Sequence, residues 1–217
     1  SAIAASGNAP FWFHAMQNGD ISTAPYSGNL KAAIYKPATR PNRWYDYDFG
    51  VPLTGRFDTE QSTAFFNELY AHVRLYIIDI TAGVKPLITG AQNPELSTGG
   101  LLFSRNAHAF PRVTIGIDHY TAIPGLYGYL ELRGGITQGW MVDTTIHTTN
   151  TMLHHKFIGL QAGGRLPINI SYEFHHAAQW GGKSPTYGEL PRSWDSFKRI
   201  FFAQAGGGNL NDKFNAE

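Results

Sequence analysis

Residues 126–140 read LYGYLELRGGITQGW, and two kinds of side chain alternate along this stretch. One set of alternate positions is apolar or glycine, comprising Leu126, Gly128, Leu130, Leu132, Gly134 and Ile136. The other set is mostly polar or aromatic, comprising Tyr127, Tyr129, Glu131, Arg133, Gly135 and Thr137. Because successive side chains of a β-strand point to opposite faces, this pattern predicts a strand with one apolar and one polar face.

The same alternation recurs along most of the chain, which predicts about seven strands. The clearest are 44–53, 111–118, 126–140 and 168–175, and the weaker ones are 28–36, 67–84 and 152–163. In 67–84 the apolar set changes face near Ile77 and Ile78, which predicts a β-bulge. In 168–175 we expect Ile170 and Phe174 on the apolar face, and Ser171 and Glu173 on the polar one.

The connections between these strands differ greatly in length. GRLP at 164–167 predicts a tight turn, 143–151 a polar loop, and 85–110 and 179–197 long irregular segments. Ser193 precedes one short predicted helix that would end near Gly206. We see neither a repeat nor an interdomain linker, so a single domain over 1–217 is predicted.

Composition excludes several classes of protein. The net charge is +1, so nothing indicates nucleic-acid binding. The absence of cysteine excludes disulfides, thiolate nucleophiles and cysteine-based zinc sites. No apolar run approaches the roughly 20 residues of a transmembrane helix.

Alternation by itself leaves two folds open. A soluble sandwich would turn the apolar face inward, whereas a membrane barrel would turn that face toward lipid and enclose a polar lumen. Long strands, tyrosines on the polar faces and aromatic residues at strand ends favour the barrel. The strand-end aromatic residues are Trp44, Tyr45, Trp140 and Trp180.

Candidate catalytic and metal-binding groups are sparse. The adjacent pairs His154–His155 and His175–His176 point their rings to opposite faces of a strand. Glu173 and His175 share one face and make half a metal site, or simply a hydrated pair. Asp118–His119 suits a turn, and no hydrolase or metalloprotease motif is present. We therefore expect no enzyme, no metal site and no cofactor.

The polar faces carry arginine, glutamate and tyrosine together. Such surfaces contact carbohydrates or anions through planar donors and aromatic platforms, but they also simply hydrate a lumen. Both explanations stay open for Arg112, Tyr129, Glu131 and Arg133.

Five blocks of sequence resemble one family. NPELSTGGLLFSRNAHAFPRVTIGI at 93–117, IPGLYGYLELRG at 123–134, HHKFIGLQAGG at 154–164 and HHAAQWGG at 175–182 occur in the family's order, after PFWFHAMQNG at 10–19. They resemble the capsule assembly Wzi family in its Bacteroidota form. The resemblance implies an all-β fold, namely an antiparallel transmembrane β-barrel in the bacterial outer membrane, linked to surface polysaccharide.

Family members are about twice as long as this chain, and seven strands cannot close such a barrel without exposing sheet edges to lipid. We therefore expect the chain to supply about the first half of the strands, as the N-terminal portion of a larger barrel. If the GRLP turn is periplasmic, 85–110 and 179–209 face outside. The short connection 37–43 would then also face outside, which fits poorly.

The predicted function is a non-enzymatic barrel that binds, anchors or organises surface polysaccharide. The candidate ligand-binding residues are Arg105, Asn106, Arg112, Tyr129, Glu131, Arg133 and Trp180. A structural subunit of a larger outer-membrane complex and a porin-like channel are the alternatives. The expected partners are the lipid bilayer, surface polysaccharide, and the remaining half of the barrel or another outer-membrane subunit.

Overall fold

A computed structural model gives the fold for most of the chain. It describes residues 2–4, 10–39, 43–59, 62–66, 68–90, 97, 100, 102–106, 108–141 and 148–204. The described chain is mainly antiparallel β-strand with two short helices, so the predicted all-β class is confirmed. It divides into two compact units, Ser1–Val73 with Ala82–Phe110, and Arg74–Thr81 with Pro111–Glu217.

The first unit is built around two long paired strands. Its elements are β1 (Ala2–Ala4), α1 (Phe11–His14), β2 (Tyr26–Lys36), β3 (Tyr45–Asp58) and β4 (Ser62–Phe65). β2 pairs with β3 from Ser27↔Asp58 to Lys36↔Phe49, and β1 and β4 extend this pair on either side. The predicted strands 28–36 and 44–53 are therefore confirmed, and both are longer than predicted.

The stretch 67–84 is two strands and not one bulged strand. β5 (Leu69–Leu75) and β6 (Ile78–Val84) are separated by a two-residue turn at 76–77, and the boundary between the units falls inside both strands. Tyr76 adopts a φ of 54° in that turn. The predicted bulge is wrong because a turn changes the face of the apolar set just as a bulge does, and no glycine or asparagine marks it.

The second unit is a sheet of four long strands in the order β7 (Pro111–Ala122), β8 (Leu130–Trp140), β9 (Met152–Ala162) and β10 (Ile170–Trp180). β8 and β9 pair without interruption from Leu130↔Ala162 to Trp140↔Met152. Two short strands, β11 (Lys183–Ser184) and β12 (Gly188–Glu189), and the helix α2 (Trp194–Phe201) complete the unit. Ser193 caps α2 by accepting a hydrogen bond from Ser196 N at 3.1 Å, as its position predicts.

Two local predictions in this unit need correction. Residues 126–129 belong to the turn before β8, where Gly125, Tyr127 and Gly128 all have positive φ. Asp118 and His119 lie inside β7, where the register with β8 shifts between Ile117 and Thr121, so they belong to a bulge and not to a turn. α2 ends at Phe201, so the predicted helix end near Gly206 is wrong by five residues. Residues 143–147 of the predicted loop lie outside the described residues.

Burial is inverted relative to a soluble sandwich. In β3 the buried positions include Asp46 and Thr54, while Val51, Leu53 and Phe57 are exposed. In the second unit Thr137 and His155 are 1% and 0% exposed, whereas Ile158, Ile170 and Phe174 on the opposite face are exposed. The polar face of each unit is therefore the covered one, and the apolar face has no protein partner over much of its length.

The sheet of the second unit ends at an open edge. Among the described residues β10 pairs with β9 and is the last strand in the order. Within the described part of the chain, no helix has the length and apolar character required to cross a bilayer. The single domain predicted over 1–217 stays a prediction.

Candidate functional site

A glycine on the polar face of the second unit brings two charged side chains together. The register places Gly159 of β9 between Arg133 of β8 and Glu173 of β10. A Cβ at Gly159 would lie 3.0 Å from Glu173 Cγ and 3.1 Å from both Arg133 Cγ and the Tyr120 hydroxyl. Because Gly159 has no side chain, Arg133 and Glu173 can approach each other across the strand that lies between them.

The carboxylate of Glu173 is the centre of this group. Arg133 Nε lies 2.6 Å from Glu173 Oε1, although its N–H is not aligned for a hydrogen bond. The Tyr120 hydroxyl donates to the same oxygen at 2.9 Å, and His175 Nε2 lies 3.1 Å from Oε2. Each carboxylate oxygen therefore has a positive or donating partner, which offsets the cost of removing the charge from water.

A second imidazole extends the group along the sheet. His155 Nε2 lies 3.2 Å from His175 Nδ1. Because the carboxylate accepts the Nε2 proton of His175, a neutral His175 offers Nδ1 as the acceptor for the Nε2–H of His155. We call Tyr120, Arg133, His155, Glu173 and His175 the Glu173 cluster.

Aromatic contacts fix the rings of this cluster. The ring of Phe157 stacks with His155 at 5.9 Å and with His175 at 5.5 Å between centroids. The guanidinium of Arg133 lies 5.3 Å from the centroids of both Tyr120 and Phe157. Stacking and cation–π contacts hold the hydrogen-bonding groups in one arrangement.

Two further polar contacts cross the same face. Arg112 Nε donates to Thr114 Oγ1 at 3.3 Å, and that oxygen lies 2.9 Å from Thr137 Oγ1. Glu131 accepts a hydrogen bond from Gln161 Nε2 at 2.8 Å. Of the predicted ligand-binding residues, Arg112, Glu131 and Arg133 therefore share one face, where each has an intramolecular contact.

The two predicted aromatic contacts lie elsewhere. Tyr129 belongs to the turn before β8, where its carbonyl accepts a hydrogen bond from Gly163 N at 2.9 Å and its side chain is exposed. Trp180 lies on the opposite face from the Glu173 cluster, because it is seven residues after Glu173 in β10 and successive side chains alternate between the two faces. It is only 7% exposed and lies against Phe197 of α2.

Arg105 and Asn106 lie in the first unit. Asn106 Oδ1 accepts a hydrogen bond from Met16 N at 2.9 Å, and the Arg105 carbonyl accepts one from Asn18 N at 2.8 Å. These two bonds tie 105–106 to the segment after α1. Of the block at 93–117, residues 93–96 lie outside the described residues.

The chemistry available at the Glu173 cluster is that of a structural network. Its carboxylate already has three partners, and His175 uses both ring nitrogens, so the half metal site formed by Glu173 and His175 would have to break these contacts to bind an ion. The sequence identified the shared face of these two residues. It could not identify Tyr120 or His155 as partners, because that requires the strand register.

No protein-family model matches this chain, and no curated protein or solved structure matches it either.

Proposed function

We propose that this chain forms part of an outer-membrane β-barrel whose apolar face contacts lipid and whose polar face lines a lumen. The inverted burial is the observation that carries this proposal. Ile170 and Phe174 of β10 are 71% and 58% exposed, while the adjacent strand buries His155 completely. Leaving so much apolar surface in water would be unfavourable, whereas acyl chains solvate it without penalty.

Strand length supports the same conclusion. β8, β9 and β10 each contain 11 residues, and a tilted strand needs about 9–11 to cross a bilayer. Typical strands of soluble sheets are about 5–6 residues long. The second unit therefore has the dimensions of a barrel wall.

The proposed role of this barrel is to bind or organise surface polysaccharide, which rests on the resemblance to the capsule assembly family. The segment 102–106 supports it, because the bonds to Met16 and Asn18 hold Arg105 and Asn106 in a defined conformation. An ordered loop that carries a guanidinium can contact a glycan at a small entropic cost.

Arg105→Ala tests this role directly. The substitution removes the guanidinium but keeps the main-chain bond to Asn18, so barrel assembly should persist while cells retain less surface glycan at matched protein levels. Asn106→Ala is the matched control, because it removes the bond to Met16 and should lower thermal stability by about 1 kcal/mol. Normal glycan retention in Arg105→Ala would end the ligand-binding role of this loop.

A structural subunit of a larger outer-membrane assembly is the second candidate. The open edge that β10 forms among the described residues favours it, since the main-chain donors and acceptors of every second residue on that edge cannot face lipid without partners. Mild detergent extraction followed by native purification separates the two functions. A stoichiometric protein partner without bound glycan would support the subunit.

A further inference from the structure

Helix α2 lies on the apolar face of the second unit, close to one end of the strands. Its Phe197 ring contacts the ring of His154 at 5.6 Å between centroids, and Phe201 lies at the same distance from it. Lys156 donates a hydrogen bond to the Phe201 carbonyl. His154 and Lys156 occupy the same face of β9 as the exposed Ile158 and Leu160.

The surface beneath α2 is polar, unlike the rest of that face. The register aligns Gln138, His154 and Ala178 in one row, and Ile136, Lys156 and His176 in the next. With Trp180 these side chains form a surface that we call the helix-covered patch, comprising Gln138, His154, Lys156, His176 and Trp180. Farther along the same strands, the face becomes apolar at Ile158 and Phe174.

The helix-covered patch contains polar atoms that need water. Gln138 Oε1, both ring nitrogens of His154, His176 Nδ1 and Trp180 Nε1 are buried and have no hydrogen-bond partner among the described residues. Hydrocarbon offers no partner to such atoms, whereas the headgroup layer of a membrane is hydrated. The patch therefore fits the level of the headgroups, and α2 lies at the boundary between water and acyl chains.

The exposed side chains of α2 and of the residues that flank it have the composition of an interfacial helix. Trp194 and Phe202 are 69% and 65% exposed. Around them lie the basic residues Arg192, Lys198 and Arg199 and one acid, Asp195, which pairs with Arg199 at 3.3 Å. Aromatic side chains with excess positive charge match a surface of apolar chains and anionic phosphates.

We propose that α2 is an interfacial helix that binds anionic lipid headgroups on the outer wall of the barrel. In that position it keeps acyl chains away from the helix-covered patch and inserts Trp194 and Phe202 at the headgroup boundary. This inference rests on the lipid-facing wall of the proposed function, and it adds a specific site and a ligand of defined charge.

The absence of cysteine makes a depth measurement direct. Trp194→Cys, Phe202→Cys, Leu160→Cys and Tyr187→Cys would each place one fluorophore on this chain in the complete barrel, extracted from outer membranes and reconstituted into vesicles that contain nitroxide lipids. Labels at 194 and 202 should be quenched more strongly by a nitroxide near the headgroup than by one near the chain end. Leu160, on the apolar wall, should show the opposite preference, and Tyr187, in the β11–β12 turn, should show little quenching by either.

The charge requirement is tested in the same vesicles. In vesicles that contain phosphatidylglycerol, Lys198→Glu should lower the ratio of membrane-bound to unbound α2 by about five-fold or more. This ratio is measured from the headgroup quenching of the label at 202. In phosphatidylcholine alone the substitution should have little effect. Lys183→Glu, an exposed lysine of β11, is the matched control and should leave quenching at label 202 unchanged in both vesicles.

The outcomes separate this inference from the proposed function. Deep quenching at Leu160 without headgroup quenching at 194 and 202 would overturn the role of α2 and leave the barrel intact. Equal quenching of label 202 in neutral and anionic vesicles would overturn the headgroup specificity. No lipid quenching at Leu160 would overturn the lipid-facing wall, and this inference with it.

Discussion

Ile170→Arg and Phe174→Arg are the most direct tests of the lipid-facing wall. Phe174 lies four residues beyond the first residue of β10, and its side chain is 58% exposed on the apolar face. A strand rises about 3.3 Å per residue and tilts by about 40°, so each residue advances roughly 2.5 Å along the membrane normal. Because the helix-covered patch at the headgroup level begins at His176 in β10, Phe174 lies roughly 5 Å inside the apolar band and Ile170 roughly 15 Å inside it. Ile170 is therefore the residue close to the midplane of a band about 25 Å tall.

An arginine at Ile170, near the midplane, should cost about 2–4 kcal/mol, which lowers the ratio of assembled to unassembled protein by about 30-fold to roughly 900-fold. Phe174→Arg, closer to the headgroups, should cost less, about 1–2 kcal/mol. Ser171→Arg and Ala177→Arg are controls, because they lie three residues on either side of Phe174 and point to the polar face. The assay is the amount of urea-resistant, membrane-integrated protein in cells, normalised to synthesis.

Equal assembly of Phe174→Arg, Ser171→Arg and Ala177→Arg would refute the lipid-facing wall. It would mean that the exposed aromatic face is solvated by water or covered by protein, and a soluble sandwich would then be the better interpretation. A loss in all three variants would also refute the reasoning, since it predicts a difference between the two faces.

Other variants test the interior. Glu173→Gln leaves Arg133 without a counter-charge and should lower the free energy of unfolding in urea by about 1–3 kcal/mol. Glu131→Gln keeps a hydrogen bond and should lower the free energy of unfolding by less. Equal losses in the two variants would contradict the role of the ion pair. Gly159→Val places a Cβ 3.0–3.1 Å from the same ion pair and should cost about 1–3 kcal/mol. Gly55→Val, whose Cβ meets nothing closer than 3.5 Å, should be nearly neutral. Ser193→Ala should destabilise α2 by about 1 kcal/mol, measured by amide hydrogen exchange.

The sequence predicted the strands because alternation is a local property. A period of two identifies each strand and its two faces without knowledge of its neighbours, and it placed Glu173 and His175 on one face correctly. It could not decide which face is buried, since a lipid-facing wall and a soluble core produce the same alternation. The exposure of Ile170 and Phe174 beside the buried His155 is the observation on which the proposed lipid-facing wall rests.

The turn at Tyr76 shows how one missed connection affects an entire topology. Its left-handed residue is a tyrosine, so no turn signal appears in the sequence. Dividing 67–84 into two strands reverses the side predicted for every connection that precedes it. The short connection 37–43 is then predicted to be periplasmic, where short turns are expected, and the poor fit of the original assignment disappears.

The ion pair and the hydrogen bonds on the polar face determine where we expect a glycan to bind. A hydrogen bond contributes only about 0.5–1.5 kcal/mol net, so a sugar hydroxyl cannot replace the ion pair between Arg133 and Glu173 without loss. A sugar would also have to break the hydrogen bond between Glu131 and Gln161, at a smaller cost in free energy. These pairs hold the side chains of the polar face in one arrangement. We therefore expect glycan contacts at groups outside the strands. Arg105 satisfies that condition, because it lies outside the strands, in a loop that is held by hydrogen bonds from Met16 N and Asn18 N.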